Sequence, residues 1–248
     1  MPFTFSHPAV ILPLTRSRYL SATGLIAGSI IPDFEYFIRL ESVSNHSHTI
    51  AGIFYFDLPL AVLVSLLFHV LVKKPLIDNL PYFFRVRFQG MRNFDFPSYL
   101  GRYWFNFIVA VLLGTASHIL WDDLTHAHTV SVNNIDWLQQ TLRFGEIDKP
   151  IYKYLLHGST IAGLAVVLFY IALMRKEVIV IGRPSAAYWM IVTGISSAIF
   201  WLRVLEGYPA RLQMYAVSNI MVTIVSAFLF GVLTTSTLYS IFKRPQET

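Results

Sequence analysis

Residues 114–129 read GTASHILWDDLTHAHT and place His118, Asp122, Asp123, His126 and His128 within eleven positions. If an apolar helix continues through this run, His118, Asp122 and His126 follow at i, i+4 and i+8 and point from nearly the same face. Such a ladder presents several ligands to one ion. Imidazole suits zinc and similar transition metals, carboxylate adds charge neutralisation, and the two together build hydrolytic sites. Asp123 and His128 lie near enough to support the ligands or to join them. The alternative is that these polar residues only mark where a membrane helix meets water.

The elements that must position this cluster are apolar. The 248-residue chain is 55% hydrophobic and 13% charged, with a mean hydropathy of +0.55. Soluble domains carry about 25% charged residues, so this chain has too little polar surface to cover itself in water. An all-α, polytopic membrane bundle follows, of about five spanning helices plus a short re-entrant or buried N-terminal helix. The chain reads as a single integral membrane domain over residues 1–248, since no repeat or low-complexity run divides it. Cysteine is absent. Thiolate zinc sites and cysteine nucleophiles are thereby excluded, and any metal must sit on His, Asp or Glu. The net charge of +5 comes from Lys and Arg spread through loops between apolar spans. That pattern fits anionic lipid headgroups rather than nucleic acid.

From Met1 to Leu14 three prolines rule out a regular spanning helix. No basic start, uninterrupted apolar core and cleavage site occur there, so no removable signal peptide is expected and His7 belongs to the working protein. Ser21 to Ile31 is rich in small residues, suited to close helix packing, but too short to cross a hydrocarbon core. It ends at Pro32 and carries Asp33 and Glu35. A polar loop with His46 and His48 follows. The expected spans are 53–72, 103–121, 155–174, 187–202 and 216–242, with the segment 122–154 an outer loop of weak helical periodicity.

The loop 73–102 carries six basic residues, Lys73, Lys74, Arg85, Arg87, Arg92 and Arg102, and by the positive-inside rule it is cytoplasmic. With Arg175, Lys176, Arg183, Lys243 and Arg244 on the same side, the inner face holds eleven basic residues against eight outside. The central cluster is then extracytoplasmic. The same topology brings His46 and His48 to its face, and also His7 and Asp33 if the small-residue helix does not cross. Three other polar residues are weighed differently. His69, inside the first span, reads as a hydrogen bond to a neighbouring helix, whereas Asp57 and His157 could support the site from the outer rim.

Taken in order, several motifs carry a resemblance: Pro2, Phe3, Thr4, Ser6, His7 and Pro8; Gly28, Pro32 and Asp33 in GSIIPDFEYF; His46, His48 and Thr49 in NHSHT; His118, Asp122, Thr125 and His126 in ASHILWDDLTH; and LLHGSTIAG at 155–163. Over essentially the whole chain these resemble the bacterial membrane-bound metal-dependent hydrolases of the YdjM type, and more closely a related family of membrane proteins beginning MPFTxSHPA. The chain departs from the YdjM pattern where an arginine usually follows the first histidine of the loop motif and Ser47 stands instead. More distantly, the pattern is similar to the zinc-dependent phospholipase C and single-strand nuclease superfamily. That resemblance implies phosphoester hydrolysis.

The expected arrangement has His118, Asp122 and one of His46 or His48 on one metal, with His7, Asp33 and His126 completing that site or a second. Zinc is the first expectation, with manganese or iron as alternatives and one or two ions. Asp33, Glu35 or Asp123 would serve as general base. Lipids, or lipid-like phosphoesters, are the expected partners, in a bacterial inner membrane with the site facing outwards. A transporter and a metal-stabilised scaffold without catalysis are the rival readings, the first needing mid-membrane ionisable groups and the second a coordinatively closed site.

Overall fold

The computed structural model describes residues 3–178, 182–207 and 216–242. Pro2, Lys243 and Arg244 lie outside the described residues. Among the described residues six helices of nine residues or more dominate: α1 (Ala22–Ile30), α2 (Ile50–Asn79), α3 (Phe96–Thr125), α4 (Ile151–Leu173), α5 (Ala186–Leu205) and α6 (Ala216–Phe242). All but α1 are long and apolar enough to cross a membrane. At 1.5 Å per residue the 23 residues of α4 reach about 35 Å, enough to span a hydrocarbon core of about 30 Å. Its exposed face carries Ile161, Leu168, Phe169 and Leu173, which fits lipid rather than water. The protein is an all-α integral membrane bundle.

Two compact units make up the chain. The first comprises residues 1–33, 46–61 and 103–173, and the second residues 34–45, 62–102 and 174–248. In the first unit the proline-rich start folds as short turns, including a helix at Pro8–Ile11. Ser21 then caps α1, its hydroxyl accepting from the Gly24 amide at 3.2 Å. With nine residues α1 is buried rather than spanning. Thr49 caps α2 in the same way, through the Gly52 amide at 2.9 Å. The described residues contain one hairpin, β1 (Thr141–Phe144) against β2 (Ile147–Pro150), with Gly145 supplying the positive φ of its turn. The stretch after α3 is therefore not a plain loop. Two short helices, Val130–Asn134 and Asp136–Gln139, precede the hairpin, and Val132, Leu138 and Ile151 close a small core beneath it.

In the second unit α5 and α6 pack through Tyr188, Val192 and Val232 together with Val72 from the end of α2, and the Tyr188 hydroxyl lies 2.8 Å from that of Ser236. The basic stretch 73–102 is more ordered than a connecting loop. The helix carries on to Asn79, another runs over Tyr82–Phe88, and Lys73, Arg85 and Arg87 are buried as donors to the carbonyls of Phe94, Gly182 and Phe83. Part of the basic charge of this stretch is thus engaged within the structure. His69 lies among aromatic rings, stacked on Phe96 at 4.3 Å with Phe94 beside it.

Candidate metal centre

The small residues of α1 do one specific thing: they let its backbone lie directly on that of α3. A Cβ built on Gly28 would come within 2.2 Å of the Val111 carbonyl oxygen, and one on Gly114 within 2.4 Å of the Leu25 carbonyl oxygen. Only glycine permits this approach. The contact sets α1 in register with α3, and the Thr115 hydroxyl reaches the Gly28 carbonyl at 3.3 Å. One turn further along, the end of α1 and the start of Pro32-Asp33 face His118.

Four side chains from three separate stretches then converge. Asp33, His48, His118 and Asp122 each offer a ligand atom, and these atoms all lie within 4.8 Å of one another. His118 Nε2 is 3.4 Å from Asp122 Oδ2 and 3.7 Å from Asp33 Oδ1. His48 Nε2 is 3.5 Å from the same Asp122 oxygen and 3.7 Å from the same Asp33 oxygen. Ligands held about 2.0–2.2 Å from a tetrahedral ion lie about 3.3–3.6 Å apart, so the donor set and spacing fit a divalent metal. The buried Nε2 of His118 and Oδ1 of Asp33 make no hydrogen bond, which matches atoms that ligate.

The opposite edge of each ligand is held. The Nδ1–H of His118 donates to the Ser29 carbonyl at 2.8 Å, so that in the neutral ring Nε2 carries the lone pair. The Thr4 hydroxyl donates to Asp33 Oδ2 at 2.5 Å and turns Oδ1 into the cluster. Ser47 engages His48 Nδ1 at 3.1 Å. His48 itself sits at φ 61°, a left-handed conformation uncommon for a residue with a Cβ.

His7 and His126 border this group on the other side of Asp122. Each has a nitrogen 3.6 Å from Asp122 Oδ1, Nε2 for His7 and Nδ1 for His126. The His7 ring stacks on His118 with centroids 3.8 Å apart and planes 16° apart. The two oxygens of Asp122 therefore face different histidines. Nδ1 of His126 is engaged with the Asp122 carbonyl at 3.0 Å. Burial, joined by the neighbouring His118, pulls the His7 pKa down to about 3 against the attraction of Asp122, so its imidazole is neutral at physiological pH. Burial also raises the Asp33 carboxyl above its ordinary range, opposed by His118 and by the Thr4 hydrogen bond.

Other sequence-derived candidates are elsewhere. His46 is exposed, its Nδ1 3.0 Å from the Tyr55 hydroxyl and its ring against Phe56, and it is not part of the cluster. Glu35 is committed to Arg39, Ser44 and the Asn45 amide. Asp123 accepts from the Ser131 amide and hydroxyl and so shapes the turn after α3. Neither carboxylate is placed as a base by these contacts. His128 and His157 are exposed, and Asp57 is fully buried in a π-helical turn of α2 at Ile53–Asp57. The orienting roles of Thr4, Ser29 and Ser47 were not read from the sequence. Thr4 carries a signal as a matching residue of the N-terminal motif, and Ser47 as the departure within NHSHT.

The side chains of His48 and His126 are 23% and 27% exposed, whereas those of Asp33 and His118 are at most 1%. Fold and site together define a polytopic membrane protein with a buried His/Asp cluster able to hold a metal ion. The chain belongs to a family described as a domain of unknown function, DUF4184, whose profile matches residues 1–237. No curated protein and no solved structure matches it.

Proposed function

We propose that the protein is a membrane-embedded, metal-dependent hydrolase acting on phosphoesters such as lipid headgroups, with one divalent ion, zinc first among the candidates, held by Asp33, His48, His118 and Asp122. The observation that carries this reading is the convergence of these donors at 3.4–3.7 Å with their outer atoms already engaged. Such an ion supplies Lewis-acid polarisation of a phosphoryl oxygen and a lowered pKa for water. The chain's own residues do the rest. Ser29, Thr4 and Ser47 hold the ligand rings and carboxylate in place, so that little reorganisation is needed. His126, with Nδ1 held by the Asp122 carbonyl, keeps Nε2 for exchanging a proton at the open edge. The partial exposure of His48 and His126 favours an accessible site over a coordinatively closed scaffold.

Asp122 Oδ1 and the neutral His7 offer the position for a second ion. By the basic stretch 73–102 we assign the cluster to the extracytoplasmic rim of a bacterial inner membrane. The kinship to YdjM-type hydrolases belongs to the same proposal.

The test is elemental mass spectrometry of the detergent-purified protein, followed by a phosphoester screen. One or two equivalents of zinc, manganese or iron, lost in His118→Ala and Asp122→Ala, is the expected result. A parent protein without stoichiometric metal, even after reconstitution, removes the reading.

A further inference from the structure

A groove of about 280 Å³ in the first unit runs beside the cluster, with His7 and Val10 from the N-terminal turns, Ser117 and Trp121 from α3, and Ala162 and Val166 from α4 in its lining. Its polar groups have partners already. The hydroxyls of Ser6, Ser117 and Ser159 donate to the carbonyls of Phe3, Gly114 and Leu156, and the Trp121 indole N–H donates to Ser159 at 3.1 Å. The lining therefore leaves a polar ligand no free hydroxyl or indole donor. What remains is apolar surface with His7 as its one ionisable residue.

Three features point to the occupant. The groove descends α4 from Ser159 to Val166, about 10 Å along the axis of a helix that spans the membrane, and so parallel to lipid chains. It opens sideways, because Val10 is 61% and Val166 48% exposed, on a surface the membrane reading assigns to hydrocarbon. It meets the cluster at His7, whose Nε2 is 3.6 Å from Asp122 Oδ1. An apolar cavity of about 150 Å³ already accommodates benzene, so this volume suffices for a stretch of hydrocarbon chain.

We infer that the groove binds an acyl chain of a membrane lipid, with the polar end of that lipid brought to His7 and the cluster. The substrate class narrows accordingly to lipids presented from within the bilayer, not water-soluble phosphoesters. Only this last step rests on the hydrolase reading; chain binding in the groove does not.

The experiment uses the full chain in nanodiscs of phosphatidylethanolamine and phosphatidylglycerol containing a phospholipid with a diazirine midway along one acyl chain. After irradiation, labelled peptides are mapped by mass spectrometry. Labelling at Val10, Ala162 and Val166 should exceed that at Leu168 and Phe169, which are exposed on the same helix as Ala162, by several-fold. Ala162→Trp, at an exposed position that spares the packed core, should lower groove labelling about fivefold or more while leaving Phe169 labelling and metal content unchanged. Val166→Trp should do the same. Groove labelling no higher than at Phe169, or insensitive to both variants, overturns the inference. So does a benzophenone at position 162 that captures a second copy of the chain instead of lipid. A metal-free protein that still labels in the groove would sink the hydrolase reading alone, whereas metal without groove labelling would sink only the acyl-chain site.

Discussion

His118 Nδ1 lies 2.8 Å from the carbonyl oxygen of Ser29, eighty-nine residues earlier in the chain. This contact adds to those that join α1 to α3, and it determines which nitrogen of His118 faces Asp33 and Asp122. It exists because Gly28 and Gly114 allow two helix backbones to touch.

That dependence is testable at Gly28. A methyl group there meets the Val111 carbonyl oxygen at 2.2 Å, and backbone cannot rotate away as a side chain would. Gly28→Ala should destabilise the protein by about 1–3 kcal/mol and shift Asp33 relative to His118. A lower melting temperature together with loss of bound metal is expected. Unchanged metal content would mean that the register of α1 on α3 does not set the site.

Thr4 tests orientation without replacing a proposed ligand. Thr4→Val removes the hydroxyl that holds Asp33 Oδ2, and loss of such an outer partner weakens metal affinity by about 10–100-fold. Thr4→Ser should keep most of the affinity. Competition with a chelator of known affinity measures both, and equal values for the two variants would exclude an orienting role.

His46 and His48 should behave differently although they are two residues apart. His48→Ala removes a donor 3.5 Å from Asp122, whereas His46→Ala removes a ring resting on Tyr55 and Phe56. Metal content measured on both variants should fall for the first and stay at the parent level for the second.

His7 gives a pH prediction for the metal-free protein. Its folded pKa is about 3 against 6.5 for the free side chain, so between these values the unfolded chain binds more protons. Its contribution to stability is complete above about pH 6.5 and is lost progressively as pH falls towards 3. Asp33, whose carboxyl is raised by burial, acts in the opposite direction, so the comparison is made at His7 itself. The parent should lose about 1–2 kcal/mol more than His7→Gln between pH 6.5 and 5. Thermal unfolding followed across that range checks it, and parallel curves would contradict the buried neutral imidazole.

The sequence by itself determined the membrane character and the pairing of His118 with Asp122. Both are local properties: composition decides whether a chain can cover itself in water, and i, i+4 spacing puts two side chains on one helix face whatever the helix packs against. The third rung of that ladder shows where locality ends. At i+8 a helix has turned about 80° past its starting direction, α3 stops at Thr125, and His126 bends back to its own turn beside Asp122 Oδ1 rather than standing with His118. Tertiary structure alone decided that Asp33 and His48 join the cluster and that His46 does not. Those outcomes depend on a backbone contact between α1 and α3, on a left-handed residue at His48, and on hydroxyls at Thr4 and Ser47 that act across long or tightly turned stretches of chain. It likewise committed Glu35 and Asp123 to turns, because a carboxylate beside unsatisfied amides and hydroxyls is held by them first.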